Sequence, residues 1–295
     1  EVLAALESEA AEDVESVAVC FLHSYANPAH EAEAKATIRE ARPDLPVTLS
    51  SDVLPEIGEY GRVSTTVANA YVQPLIDRYL SALDAELREM GSTGGFFVMG
   101  SNAGSLSLDV ARNHPVRLVE SGPAAGVSIA AHYARRLGIS NLLSFDMGGT
   151  TAKIALVTDF EPTRTSELEV ARVKRFQKGS GLLLKAPAVD LIEIGAGGGS
   201  IARVDSLGLL TVGPDSAGSA PGPACYGQGG SDATVTDANV ALGFLNPDYF
   251  LGGNMTLDRA ASVTAIDTHV SAPMNVPTSR AASSIFEVVN DNMAN

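Results

Sequence analysis

The chain has 295 residues, 45% of them hydrophobic, enough to bury a sizeable core and to form more than one domain. Its 35 acidic residues outnumber the 20 basic ones for a formal charge of −15, which repels a nucleic-acid backbone and an anionic membrane surface, so neither is expected as a partner. No apolar run approaches the roughly 18 residues of a membrane span, and the two cysteines, Cys20 and Cys225, form neither a disulfide framework nor a zinc motif, which fits a reducing cytoplasm.

The chain opens at Glu1 inside a helical pattern (Val2, Leu3, Leu6), with no initiator Met and no targeting pattern, as expected of a piece of a longer protein. Residues 17–22 read as a buried strand, 28–42 as a helix that Pro43 helps to end, and 47–49 as a second short strand, the β-α-β order of an α/β layer. A long helical pattern comes next. Its Val67, Tyr71, Leu75, Tyr79, Leu83 and Leu87 are spaced to form one packed face, with Gly91 as terminator and Pro74 expected to kink or break the helix. Residues 96–99 form a strand that leads into a polar turn at Ser101-Asn102-Ala103-Gly104. Ser121 then caps a helix with Pro123 in its first turn, Arg135 and Arg136 in its last, and Gly138 beyond it. Residues 142–157 read as strand, glycine turn, strand. Residues 201–204 and 209–212 alternate as a hairpin about a turn at 205–208, and helices return near 235–244, 257–270 and 279–293.

The most informative segment is Phe145-Asp146-Met147-Gly148-Gly149-Thr150-Thr151, set between two apolar strands. A carboxylate at the end of a buried strand, Asp146, can hold hydrated Mg²⁺, while Gly148 and Gly149 let backbone N–H groups approach phosphate oxygens with no Cβ in the way. Thr150 and Thr151 add hydroxyls. This is the pattern of a phosphate hairpin and not of a Walker A loop, because no G-x-x-x-x-G-K-[ST] occurs; an ordinary Asp/Gly β-turn carries the same short signature.

A second glycine run, Gly195-Ala196-Gly197-Gly198-Gly199-Ser200, superficially suggests a dinucleotide fingerprint. Ser200 stands where the third glycine belongs, however, and residues 201–204 beyond it are β-like where a helix is required. The run reads either as a tightly turned loop or as a second backbone cradle facing phosphate or substrate. Glu193, just before it, is a candidate general base or else a solvated strand-end carboxylate. The Gly/Pro-rich stretch 216–227 must be a shaped loop, and its Cys225, with no histidine nearby in sequence, reads as a small buried thiol. Thr234, Thr236 and Asp237 have the look of an N-cap with an acidic first turn, and the five scattered histidines show no metal-ligand spacing.

Taken together, Glu120-Ser121-Gly122-Pro123-Ala124-Ala125-Gly126, residues 145–153, 194–202 and 211–230, and Thr236-Asp237-Ala238-Asn239 resemble hydantoinase A and 5-oxoprolinase proteins in order and spacing. The likeness runs from about Val63 onward, and the stretch before it resembles the end of that family's N-terminal domain. The resemblance implies that residues 1–57 are the remainder of that N-terminal domain and 58–295 a C-terminally truncated core domain. The implied fold is α/β, of the actin-like, ribonuclease-H-like ATPase type, with mixed sheet flanked by helices. It further implies ATP and Mg²⁺ as cofactors, with Asp146 holding the metal and serving catalysis, Gly148, Gly149, Thr150 and Thr151 on the phosphates, and Gly195, Gly197, Gly198 and Gly199 as further binding positions beside Glu193.

The implied reaction is ATP-driven opening of a cyclic amide such as a hydantoin or 5-oxoproline, through phosphoryl activation of its carbonyl, by an A-type subunit working with a B-type partner. ATP-dependent ketone carboxylation on the same scaffold and a noncatalytic assembly segment are the alternatives. The fold type also expects a first phosphate hairpin near its N-terminus and an adenosine-binding Gly-Gly segment toward its C-terminus. Neither occurs in this sequence, as expected of a truncated chain.

Overall fold

The computed structural model describes residues 2–7, 13–173 and 179–294; Glu1, where the first helical pattern opens, lies outside the described residues. The elements run α1 (Val2–Leu6), β1 (Val17–Val19), α2 (Ala29–Ala41), β2 (Val47–Leu49), α3 (Ser50–Val53), α4 (Glu59–Glu89), β3 (Phe97–Met99), β4 (Ser105–Ser107), α5 (Leu108–Asn113) and α6 (Ser121–Leu137). They continue with β5 (Leu142–Met147), β6 (Ala152–Thr158), β7 (Glu161–Pro162), β8 (Arg164–Val170), β9 (Leu182–Val189), β10 (Ile192–Ile194), β11 (Ser200–Val204), β12 (Leu210–Ser216), α7 (Val235–Leu242), α8 (Arg259–Ile266), α9 (Ala272–Met274) and α10 (Thr278–Ala294). Helices thus accompany small parallel and antiparallel sheets, the α/β class expected. Among the described residues no helix is long and apolar enough to cross a membrane. Contacts divide the chain into two units, Glu1–Leu142 with Leu156–Asp190, and Leu143–Ala155 with Leu191–Asn295.

In the first unit β1 and β2 pair in parallel, Val17 opposite Val47, on either side of α2, as the β-α-β reading expects. Val19, Ala34, Ile38 and Leu49 form the core between them. Helix α2 is fastened by the fully buried Glu31, whose carboxylate accepts from the Phe21 N–H (2.8 Å), the Ser51 N–H (2.9 Å) and Ser50 Oγ (2.6 Å). Burial alone pushes that carboxyl up, but the hydrogen bonds from Ser50, Phe21 and Ser51 outweigh it and leave it below the usual value.

Helix α4 departs from the sequence reading twice. It runs unbroken through Pro74. The N–H that proline lacks would have bonded the Ala70 carbonyl, and Ser16 Oγ donates to that oxygen instead at 2.7 Å. The predicted packed face is also turned outward over its first four positions, with Tyr71 83% exposed, Leu75 63% and Tyr79 61%, while Leu83 and Leu87 are half-buried. The buried face is polar, with Arg62, Ser64, Thr65, Thr66 and Asn69. Ser64 Oγ donates to the Leu183 carbonyl (2.5 Å), Thr65 Oγ1 accepts from the Lys185 N–H (2.8 Å), and Asn69 joins the Asn113 carbonyl to the Val116 N–H. Arg62 donates to the carbonyls of Phe21 and Glu56. Apolar periodicity pointed to the wrong side because the groups sealed inside are hydroxyls, an amide and a guanidinium paired with backbone, most of it from other elements and, for Thr66, the Arg62 carbonyl of α4 itself.

Helix α6 ends as expected, with Gly138 left-handed (φ 68°) and its N–H on the Ala134 and Arg135 carbonyls. Its start differs from the sequence reading. Ser121 lies inside the helix, and the capping position is Glu120, itself left-handed (φ 59°), with no side-chain cap bond.

In the second unit β5, β6 and β10 form one sheet in the order β10-β6-β5, with Glu193 of β10 opposite Lys153 of β6 in antiparallel register. The sequence reading made β5 a buried strand; it is the edge strand of this sheet, and Leu143, Phe145 and Met147 are exposed on it. The β11–β12 hairpin forms where expected, turning at Asp205 with Gly208 at φ 79°. It packs with α7, α8 and α10 around Ala202, Val212, Val235, Ile266, Val270, Ile285 and Val289.

Candidate functional site

Between β5 and β6 the chain reverses through Gly148-Gly149-Thr150, closed by the Gly148 N–H donating to the Thr151 carbonyl at 2.9 Å. Asp146 is exposed and has no hydrogen-bond or ion-pair partner among the described residues. The N–H groups of Gly149 and Thr150 likewise find no acceptor there. A Cβ built on Gly149 meets nothing within 4 Å, one on Gly148 meets only the Thr151 carbonyl at 3.4 Å, and neither residue has a positive φ. The fold therefore does not require glycine at either position. What the two glycines provide is open space at their own Cβ positions, next to two donors and a carboxylate that are unengaged among the described residues. That donor set fits a polyphosphate with a hard divalent ion: N–H groups suit phosphate oxygens, and one carboxylate suffices for a cation that keeps most of its water. Among the described residues no group of three or more His, Cys, Asp or Glu side chains could hold a metal by itself.

The second glycine run lies directly behind this hairpin. The Gly198 N–H donates to the Gly148 carbonyl (3.0 Å), the Gly199 N–H to the Gly149 carbonyl (2.7 Å) and the Gly197 N–H to Ser200 Oγ (2.9 Å), so these three donors are engaged within the protein. Here glycine is sterically required. A Cβ on Gly197 would stand 2.7 Å from the Thr150 carbonyl carbon and 2.8 Å from the Gly148 oxygen, and one on Gly198 2.8 Å from Thr236 Oγ1. The contact also has an electrostatic consequence. The Gly148 carbonyl and the Gly149 N–H belong to one peptide unit, and the Gly149 carbonyl and the Thr150 N–H to the next. A bond accepted at each oxygen polarises its unit and strengthens the outward N–H as a donor. Gly195 leads into the run from β10.

A third layer fixes the second. Thr236 at the start of α7 places both its N–H (2.7 Å) and its Oγ1 (2.8 Å) on the Gly198 carbonyl. The expected N-cap is present as a full capping box between Thr234 and Asp237. Asp237, wholly buried, also accepts from the N–H groups of Ala224 (3.2 Å) and Cys225 (2.8 Å) and from Ser262 Oγ (2.9 Å), tying the 216–227 loop and α8 to α7. Cys225 is the buried thiol its surroundings suggested. Burial first, then the neighbouring Asp237 charge, push it up to about 12, far from nucleophilic readiness. Sequence reasoning missed the supporting roles of Thr236 and Ser200, since nothing linear joins them to a hairpin some 50 to 90 residues earlier. Glu193 is exposed and pairs with Lys153, Oε1 to Nζ 3.7 Å.

Residues 62–295 match the family model described as hydantoinase/oxoprolinase, and residues 1–42 the one described as hydantoinase/oxoprolinase N-terminal region. The chain is 40% identical over 98% of its length to caprolactamase subunit alpha from Pseudomonas jessenii, covering 40% of that protein. It is 37% identical over 95% of its length to the acetophenone carboxylase gamma subunit from Aromatoleum aromaticum, covering 38% of it. A nucleotide-free structure of acetone carboxylase, whose carboxylation is described as ATP-dependent, superposes on 99% of the chain with a TM-score of 0.80 at 30% identity, the match covering 40% of that chain. The sequence thus spans about two fifths of the length of the relatives it matches.

Proposed function

This chain belongs to the hydantoinase/oxoprolinase family, and on that footing we propose that it is part of the A-type subunit of an ATP-dependent cyclic amidase. The observation that carries the reading is the hairpin itself: the N–H groups of Gly149 and Thr150 and the Asp146 carboxylate have no partner among the described residues, and its glycines are ones the fold does not need. Membership of the family brings in relatives acting on amides and relatives acting on ketones; the 40% identity to a caprolactamase subunit favours the amide.

In this reading Asp146 would hold a Mg²⁺ ion, the Gly149 and Thr150 N–H groups would hold phosphate oxygens, and the Thr150 and Thr151 hydroxyls would add further donors. Gly197, Gly198 and Gly199 keep the hairpin in shape from behind, with Gly195 setting their entry. Mg-ATP, when bound, supplies a phosphoryl group that converts an amide oxygen into a leaving group and so removes the resonance protection of the carbonyl. Glu193, exposed and paired with Lys153, would accept a proton in this reading. Residues 1–57 act as the remainder of the N-terminal domain and 58–295 as the core, and a B-type subunit completes the enzyme, in keeping with relatives named as subunits.

The deciding experiment measures ATP turnover by the full-length protein with its partner subunit. Stimulation by a lactam, hydantoin or 5-oxoproline with release of the ring-opened acid supports the amidase. Stimulation only by a ketone with bicarbonate transfers the protein to the carboxylases, the second reading, which rests on the 37% identical carboxylase subunit.

A further inference from the structure

The Gly149 and Thr150 N–H groups are not backed alike. Behind the first, the Ser200 N–H donates to the Gly197 carbonyl at 3.1 Å, and the Gly198 N–H of that same peptide unit donates to the Gly148 carbonyl at 3.0 Å, whose unit ends in the Gly149 N–H. Behind the second, every link is shorter. The Gly198 carbonyl accepts from one residue twice, from the Thr236 N–H at 2.7 Å and from Thr236 Oγ1 at 2.8 Å. The Gly199 N–H of that unit donates to the Gly149 carbonyl at 2.7 Å, and the series ends in the Thr150 N–H. A threonine at a helix start ordinarily spends its hydroxyl on backbone close to it in sequence; Thr236, 6% exposed, spends it on a carbonyl 38 residues earlier that its own N–H already engages. All of these residues lie within the second unit.

We propose that Thr236 is a positioning residue for the phosphate site, its hydroxyl making the Thr150 N–H the stronger of the two hairpin donors; this rests on the reading of the hairpin as that site. A hydrogen bond accepted by a carbonyl draws electron density toward the oxygen and leaves the N–H of the same unit more positive, and the effect passes on to the next unit in line. Two donors on the Gly198 oxygen begin the Thr150 series, where a single N–H begins the other. The same two bonds hold the Gly198–Gly199 unit at two points of one residue, which fixes the direction of the Gly199 N–H and, through it, the tilt of the unit that carries the Thr150 N–H. Thr236 therefore touches no ligand. Its hydroxyl acts across two peptide units, and the Thr150 N–H is matched to the more highly charged phosphate oxygen.

Steady-state kinetics of the full-length protein with its partner subunit test this, comparing Thr236→Ala with Thr236→Ser. Both lose the methyl group, only the alanine loses the hydroxyl, and the Thr236 N–H remains in each. Thr236→Ala should raise KM for Mg-ATP by about threefold to fivefold, with KM for the carbonyl substrate and the melting temperature close to those of the wild type, and Thr236→Ser should restore the wild-type KM for Mg-ATP. A serine variant that behaves like the alanine one overturns the proposal, since the methyl group would then be what matters. So does an alanine variant in which both KM values and the melting temperature change together, as loss of a mere prop would give, or in which melting alone falls. Asp146→Ala and Gly149→Ala separate the two levels. If they impair use of Mg-ATP while Thr236→Ala does not, the phosphate site stands and the role of Thr236 is refuted; if none of the three affects Mg-ATP, the phosphate site and the role of Thr236 fall together.

Discussion

Asp146, Gly149 and Gly197 lie within a few residues of one another in space yet answer to different demands. The Asp146 carboxylate is exposed and unpaired among the described residues, so in the full-length protein Asp146→Ala should lower ATP turnover by about a hundredfold or more while thermal unfolding stays in place; near-normal turnover would remove Asp146 from the site. Gly149→Ala enters open space at an ordinary φ, so melting should hold while nucleotide affinity falls by roughly tenfold, on the order of 1.4 kcal/mol. Gly197→Ala should do the opposite. Its Cβ would overlap hairpin backbone, and overpacking of that kind costs on the order of 2 kcal/mol, read as a lower denaturant midpoint. Equal effects of the two alanines on melting would contradict the assignment of roles. Cys225 adds a pH-dependent term. Its thiol sits near 12 folded against 9.0 unfolded, so the native state keeps a proton the unfolded chain gives up. That contribution is complete below pH 9.0 and fades as pH climbs toward 12. Unfolding midpoints of Cys225→Ala should decline less steeply over that window than those of the wild type.

At the level of elements, Asp237 is the piece whose loss should cost most. Asp237→Ala strands the N–H groups of Ala224, Cys225 and Thr234 together with two hydroxyls, a loss on the order of 3 kcal/mol or more. Urea unfolding should show it, and an unchanged midpoint would mean the network is replaceable. The cap that Asp237 completes was readable in the sequence, as were the β-α-β start, the β5–β6 reversal, the β11–β12 hairpin and the glycine end of α6. Each is decided by residues close in sequence, the β-α-β start being the longest of them at about 30 residues. The misreadings have long-range causes. Pro74 does not break α4 because Ser16, 54 residues before Ala70 in the chain, supplies the missing donor to the Ala70 carbonyl. The inner face of α4 is polar because β9, more than a hundred residues on, presents backbone groups to Ser64 and Thr65. The run Gly197-Gly198-Gly199 could be recognised as a place of close approach, but composition does not distinguish a ligand from another stretch of backbone, and in the structure backbone lies there.

For the molecule as a whole, the 295-residue chain brings a single Asp146-Met147-Gly148-Gly149-Thr150 hairpin, and phosphoryl transfer draws much of its rate from holding both reactants in place. Tested alone, it should remain folded and bind Mg-ATP weakly, with turnover at least about a hundredfold below that of the full-length protein with its partner; sustained substrate-stimulated hydrolysis by this chain would place the site on other residues. Neither unit is a continuous stretch, since Leu143–Ala155 and Leu191–Asn295 are joined through Leu156–Asp190 of the other. The order of synthesis then matters. Gly148 and Gly149 leave the ribosome about 50 residues ahead of Gly198 and Gly199, a wait of about 2.5–10 s at ordinary elongation rates. During that interval the first unit receives its last strand, while the hairpin waits with no layer behind it and its carbonyls open to water. The hairpin thus acquires its backing only once Gly198 and Gly199 have been made, and a ribosome stalled before Gly198 would carry Asp146, Gly149 and Thr150 without that second layer.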